Sequence, residues 1–158
     1  QPLVFSQVLE DVIYRMEPIA QSKGVTFVMN LDPDQIVLGD TDRLEQVFGN
    51  LLDNALRYTP PGKQIFLSTE TIGDRTHCLI RDEGEGIPEE HLDRLTKRFY
   101  RVDKSRTRKD GGTGLGLAIT KHIIDRHDGT IRFDSVLGEG TTVHIELPLL
   151  PDEEDEFE

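Results

Sequence analysis

The sequence predicts a single α/β domain with a polar surface. Three features predict it: helical periodicity over residues 4–23, 41–58 and 115–127, short stretches of alternating apolar and polar residues between them, and Gly, Pro and Asp clusters at the junctions. A chain of 158 residues is long enough for a substantial core. Hydrophobic residues make up 35% and charged residues 30%, which fits a soluble globular domain. No apolar run approaches the ~20 residues of a membrane span, and no leader pattern is present.

In residues 4–23, Val8, Val12, Ile13, Met16 and Ile19 recur at helical spacing, Pro18 predicts a kink, and Gly24 ends the helix. Residues 25–31 read as a strand closed by Asp32-Pro33-Asp34, and Ile36–Leu38 as a short one. Asp40 is placed to cap a helix over Thr41–Tyr58, with Arg43 instead of a capping-box glutamate. Its core face is Leu44, Val47, Phe48, Leu51, Leu52 and Ala55, and Thr59-Pro60-Pro61-Gly62 stops it. Residues 64–71 and 76–82 alternate as a hairpin turning at Gly73-Asp74. Pro88 opens a helix over residues 89–98. The last helix runs from about Leu115 to His127 and ends at Gly129, and residues 130–135 and 141–147 are closing strands.

The formal net charge is −12, unevenly distributed. Residues 152–158 (DEEDEFE) hold six acids and no base, so they are expected to be a disordered, solvated tail following a domain over residues 1–150. Overall acidity argues against nucleic-acid binding. The single cysteine, Cys78, lies in an alternating run and is expected to be buried and inert, which suits a reducing, cytoplasmic compartment. The chain begins with Gln1 and is expected to be part of a longer protein.

Three stretches carry candidate chemistry. Residues 97–109 hold seven of the 18 bases against one acid, Asp103, and lead into Gly111, Gly112, Gly114 and Gly116 at the start of a helix. Glycines let the backbone approach a ligand, and a helix N-terminus favours anions, phosphate above all. The dinucleotide and Walker patterns both fail here: Leu117 stands where the former needs a third glycine, and no Gly-Lys-Ser/Thr follows. On the helix 41–58, Asn50 and Asn54 stack four apart, and Arg57 and Tyr58 follow. Amide oxygens are hard ligands suited to Mg2+, Arg57 offers a cation for phosphate, and Tyr58 a ring for a base. An ordinary helix with a polar outer side reads the same way. Asp82, at a strand end before Glu83-Gly84-Glu85-Gly86, can accept from the amine of a planar heterocycle; an acidic turn is the plainer alternative.

Together these segments resemble the catalytic ATP-binding domain of bacterial sensor histidine kinases. NLLDNALRYTP (50–60) resembles their asparagine box, DEGEGIP (82–88) the first glycine box, RFYRVDKSR (98–106) the phenylalanine box and lid, GGTGLGL (111–117) the second glycine box, and GEGTTV (138–143) the last. Five motifs in the family's order are spread along residues 40–147. The resemblance implies a two-layer α/β sandwich of the Bergerat ATP-binding type: a mixed sheet on about three helices, with ATP between the helical layer and the lid. It implies that Asp82 reads adenine, with Gly84, Gly86 and Ile87 shaping the pocket and Tyr58 bordering the base. Asn50 would hold Mg2+, with Asn54 and Arg57 near the phosphates. Tyr100 and Arg101 would sit on the lid, Thr113, Gly114, Leu115, Gly116 and Leu117 would wrap the triphosphate, and Thr142 would support the adenine side.

Two departures stand out. Many relatives carry an acid four residues before the first asparagine, as a base or polariser; here that position is Gln46, beside Glu45. An amide cannot abstract a proton. The family's phosphorylated histidine is also missing: of His77, His91, His122, His127 and His144, only His127 precedes an acid, and it reads as a surface residue at a helix end. The chain thus resembles the donor half of a histidine kinase. Its implied partners are its own dimerisation and phosphotransfer domain and, through that, a response regulator. The isolated domain is expected to be monomeric without membrane contact, and the full-length protein dimeric. A nucleotide-sensing module without transfer chemistry is the alternative. The lid and GTGLGL spacing argue against a chaperone- or topoisomerase-type ATPase.

Overall fold

A computed structural model describes residues 1–84 and 115–151, with backbone alone at Leu115 and Gly116. The helix expected over 89–98, the basic lid, Gly86, Ile87, Tyr100, Arg101, Thr113, Gly114 and the tail 152–158 lie outside the described residues.

Helix α1 (Phe5–Lys23) follows a short strand β1 (Pro2–Val4). Its buried stripe is Phe5, Val8, Leu9, Val12, Ile13, Met16 and Ala20. Ile19, expected on that stripe, is instead 47% exposed, because Ala20, four residues after Met16, takes the core position. Pro18 lies within the helix without ending it. Gly24 (φ 74°) closes it in the left-handed conformation, and the Val25 N–H reaches the Ala20 carbonyl at 3.0 Å.

Strands β2 (Thr26–Asn30) and β3 (Ile36–Leu38) lead to α2 (Thr41–Tyr58). Asp40 caps it as expected, its Oδ1 accepting from the Arg43 N–H at 3.2 Å. All six anticipated core residues of α2 are buried, and Leu56 joins them. The Thr59 hydroxyl donates to the Ala55 carbonyl at 2.7 Å and finishes the last turn. Strands β4 (Gln64–Ile72) and β5 (Arg75–Asp82) form the hairpin about Gly73 (φ 62°) and Asp74.

Helix α3 (Leu115–Arg126) precedes β6 (Thr130–Val136) and β7 (Gly140–Pro148). Its end differs from expectation. Asp128, at φ 58°, takes the left-handed turn, whereas Gly129 is needed for close packing: a Cβ there would lie 2.5 Å from the Glu146 carbonyl oxygen.

The main sheet has order β2-β4-β5-β7-β6. β2 and β4 run parallel, and the other pairs are antiparallel. A second sheet pairs β1 with β3, and Leu149 bridges to Val37. One face of the main sheet, with Ile65, Leu67, Cys78, Ile80, Val143, Ile145 and Leu147, shares a single core with α1, α2 and α3. The result is a mixed sheet under one helical layer, the two-layer sandwich expected from the sequence. Cys78 is fully buried in that core, and burial pushes its thiol pKa up.

Candidate functional site

Asp82 ends β5 in phase with the buried Cys78 and Ile80, so its carboxylate faces the helical side of the sheet. Its Oδ1 accepts from two backbone amides, Gly84 at 3.0 Å and Thr141 at 3.1 Å. Among the described residues no donor reaches Oδ2. Burial pushes the Asp82 pKa up, and the two amide hydrogen bonds oppose that shift. One oxygen is therefore fixed by the protein, and the other is left for an outside donor.

Two glycines allow this arrangement. A Cβ on Gly84 would overlap the Tyr58 carbonyl oxygen, so the loop after β5 lies against the last turn of α2. A Cβ on Gly140, at φ 135°, would overlap the Asp82 carbonyl oxygen. Asp82, Gly84 and Tyr58, chosen from the sequence, thus come together. Glu83 does not join them: its Oε1 accepts from the Gln64 N–H at 2.7 Å.

Along α2, Asn50, Asn54 and Arg57 are half-buried beside the core face, and Tyr58 is 42% exposed at the end. Neither asparagine side chain has a hydrogen-bond partner among the described residues. Arg57 donates through Nε to Asp53 Oδ2 at 3.0 Å, while its Nη1 is buried without a partner among the described residues. A buried guanidinium N–H is costly unless something supplies a partner, which an anion does, and the partly exposed amides are open to a hard cation. Gln46 is exposed, and Glu45 pairs with Arg15 at 2.7 Å. Helix α3 is described from Leu115 onward, with Leu117 packed on the core.

Thr142 pairs with Arg81 across the strands and lines a shallow pocket at the Asp82 end of β5. The buried residues of β7 are Thr141, Val143, Ile145 and Leu147, so Thr142 lies on the opposite face of the sheet. Thr141, passed over in the sequence, is the residue beside Asp82. The two-residue period of Val143, Ile145 and Leu147 already carried that signal.

A family described as histidine kinase-, DNA gyrase B-, and HSP90-like ATPase matches residues 39–151. The sensor histidine kinase WalK of Bacillus subtilis (strain 168) is 41% identical over 150 residues, covering 93% of this chain and 24% of that protein. Sensor protein SrrB of Staphylococcus aureus (strain MRSA252) is 44% identical over 135 residues, covering 85% of this chain and 23% of that one. The chain thus spans about a quarter of the length of these relatives. Among solved structures, the mycobacterial sensor histidine kinase MprB superposes with a TM-score of 0.82 at 29% identity, covering 96% of this chain and 99% of that one. Full-length ShkA in complex with AMPPNP gives 0.83 at 26% identity, covering 96% and 31%. The chain belongs to the histidine kinase-, DNA gyrase B-, and HSP90-like ATPase family, as an ATP-binding catalytic domain of the sensor histidine kinase kind.

Proposed function

We propose that this domain binds Mg-ATP and donates the γ-phosphate to a histidine on a separate dimerisation domain of its parent protein. The observation that carries it is that, among the described residues, Asp82 Oδ2, the Asn50 and Asn54 side chains and Arg57 Nη1 have no partner, while Arg57 Nε is held by Asp53. Asp82 Oδ2 suits the exocyclic amine of adenine, and the groups on α2 suit a metal-bound triphosphate. AMPPNP bound to ShkA supports the choice of ligand.

Asp82 would accept from the adenine amine, with Gly84, Gly86 and Ile87 leaving room for the ring and Tyr58 at its edge. Thr141 would hold Asp82 from behind. Asn50 fits Mg2+ as a half-buried amide without a partner among the described residues, and Asn54 and Arg57 fit the phosphates. When bound, Mg2+ would neutralise charge on the β- and γ-phosphates. Tyr100, Arg101 and residues 113–117 would close over the nucleotide.

In the transfer, an unprotonated imidazole nitrogen of the acceptor forms a bond to the γ-phosphorus. The bond to the β,γ-bridging oxygen breaks, its electron pair stays on ADP, and the other imidazole nitrogen loses its proton to water. No base on this chain is required: Gln46 cannot act as one, and the Arg15 guanidinium holds Glu45. The acceptor domain would dimerise the parent protein and pass the phosphoryl group to a response regulator. A cytoplasmic location is part of this reading, supported by the need for ATP and by the free, buried Cys78. No helix among the described residues is long and apolar enough to cross a membrane.

Mixing this chain with its dimerisation domain and γ-labelled ATP tests the reading. Alkali-stable, acid-labile label on that domain is expected, lost in Asn50→Ala. Nucleotide binding with no label on any histidine would overturn the transfer.

A further inference from the structure

We propose that His127 is a positioning residue for the nucleotide site, acting through the register between α2 and α3. This rests on the functional reading above. His127 directly follows α3 and is half-buried. Its Nδ1 donates to the Ile123 carbonyl at 2.8 Å, one turn back in the same helix. Its Nε2 accepts from the Asp40 N–H at 3.2 Å. A carbonyl can only accept and an amide can only donate, so the two partners fix the neutral Nδ1–H tautomer. Asp40 is the residue that caps α2. One imidazole therefore ties the C-terminal end of α3 to the N-terminal end of α2.

The fit around the ring is close. A Cβ on Gly39 would lie 2.7 Å from His127 Cδ2, 2.9 Å from Nε2 and 3.2 Å from Leu44 Cδ1. The ring thus rests on bare backbone at Gly39.

The bond matters at the other end of both helices. Asn50 lies ten residues after Asp40, and Leu117 lies ten residues before His127. At 1.5 Å per residue both stand about 15 Å from the bond, along helices that run antiparallel away from it. Fixing the far ends level therefore sets which turn of α3 stands beside Asn50 and Asn54. Leu44 and Phe48 of α2 and Ile123 and Ile124 of α3 belong to one apolar core. Apolar burial is non-directional and tolerates a small axial shift, whereas a directed hydrogen bond does not. A shift of that size changes which residues of α3 stand level with the amides of Asn50 and Asn54.

His127→Gln and His127→Asn separate positioning from simple stability. The glutamine amide reaches the place of Nε2 and can still accept from the Asp40 N–H; the asparagine amide reaches only the place of Nδ1. Affinity for a non-hydrolysable ATP analogue with Mg2+ is measured well below the melting temperature of each variant. His127→Asn is expected to weaken binding about fivefold, and His127→Gln to restore it. Unchanged affinity in His127→Asn, with only a lower melting temperature, overturns the proposal. Side-chain amide resonances of Asn50 and Asn54 in the nucleotide-free protein give a second readout. They should move in His127→Asn and stay in His127→Gln, and their staying in both overturns the proposal even if the parent chain binds no nucleotide. In that last case the functional reading fails by itself.

Discussion

Gly140 passes the carbonyl of Asp82 with no room for a side chain, at a φ of 135°. The strand that carries Thr141 can supply its N–H to Asp82 only because of that approach. Gly140→Ala should therefore be strongly destabilising, by about 2 kcal/mol or more, since backbone strain and overlap add. Thermal melting checks it. A variant as stable as the parent would show that β7 can retreat without cost.

Asp82→Asn should leave the fold intact and weaken nucleotide binding. The asparagine Oδ1 can still accept from Gly84 and Thr141, and the charge that burial disfavours is gone. Its Nδ2 replaces Oδ2, however, and points a donor at the adenine amine. Losing a charge-assisted hydrogen bond costs roughly 1.5–3 kcal/mol, about tenfold or more in affinity. Calorimetry with an ATP analogue, beside a melting curve, reads both effects; parental affinity would remove Asp82 from the adenine site.

On the outer face of the sheet, His144 Nδ1 meets His77 Nε2 at 3.1 Å, and its Nε2 meets Asp134 Oδ2 at 2.9 Å. Glu70 faces His77 at 3.5 Å, and Arg132 pairs with Asp134. Burial lowers the His144 pKa, helped by the Arg132 charge and by His77, against the pull of Asp134. The unfolded chain then takes up a proton on His144 at a higher pH than the folded one. The stability held by neutral His144 is complete above about pH 6.5 and falls as pH drops through the depressed folded pKa. Melting temperatures measured from pH 7.5 to 5 should fall less steeply in His144→Gln. Parallel profiles would show that His144 does not contribute.

The boundary at residue 150 is testable by truncation. The Leu149 N–H donates to the Asp74 carbonyl and the Leu150 N–H to the Ile36 carbonyl, each at 2.8 Å, which anchors the chain after β7. Removing residues 152–158 should leave the melting temperature within about two degrees and nucleotide affinity unchanged, because a run of acids buries no apolar surface. A large drop would mean that the tail is docked on the domain.

Much of this protein was determined locally. The core face of α2, its Asp40 cap, the Gly73-Asp74 hairpin and helix α3 follow from side-chain period and turn chemistry, which act over a few residues. The stripe of Asn50, Asn54 and Arg57 and the strand-end Asp82 were legible for the same reason. The tertiary structure decided the rest. Strand β1 is three residues long, too short for any period, and exists through its pairing with β3. The sheet order and the parallel β2–β4 pair depend on contacts distant in sequence. Gly129 and Gly140 look like turn residues in the sequence, yet what requires them is another strand's backbone: Glu146 in one case, Asp82 in the other. His127 reads as a surface histidine until the fold brings Asp40 to its Nε2. Period and capping are properties of one segment, whereas close backbone approach and cross-helix hydrogen bonds belong to pairs of segments that only folding brings together.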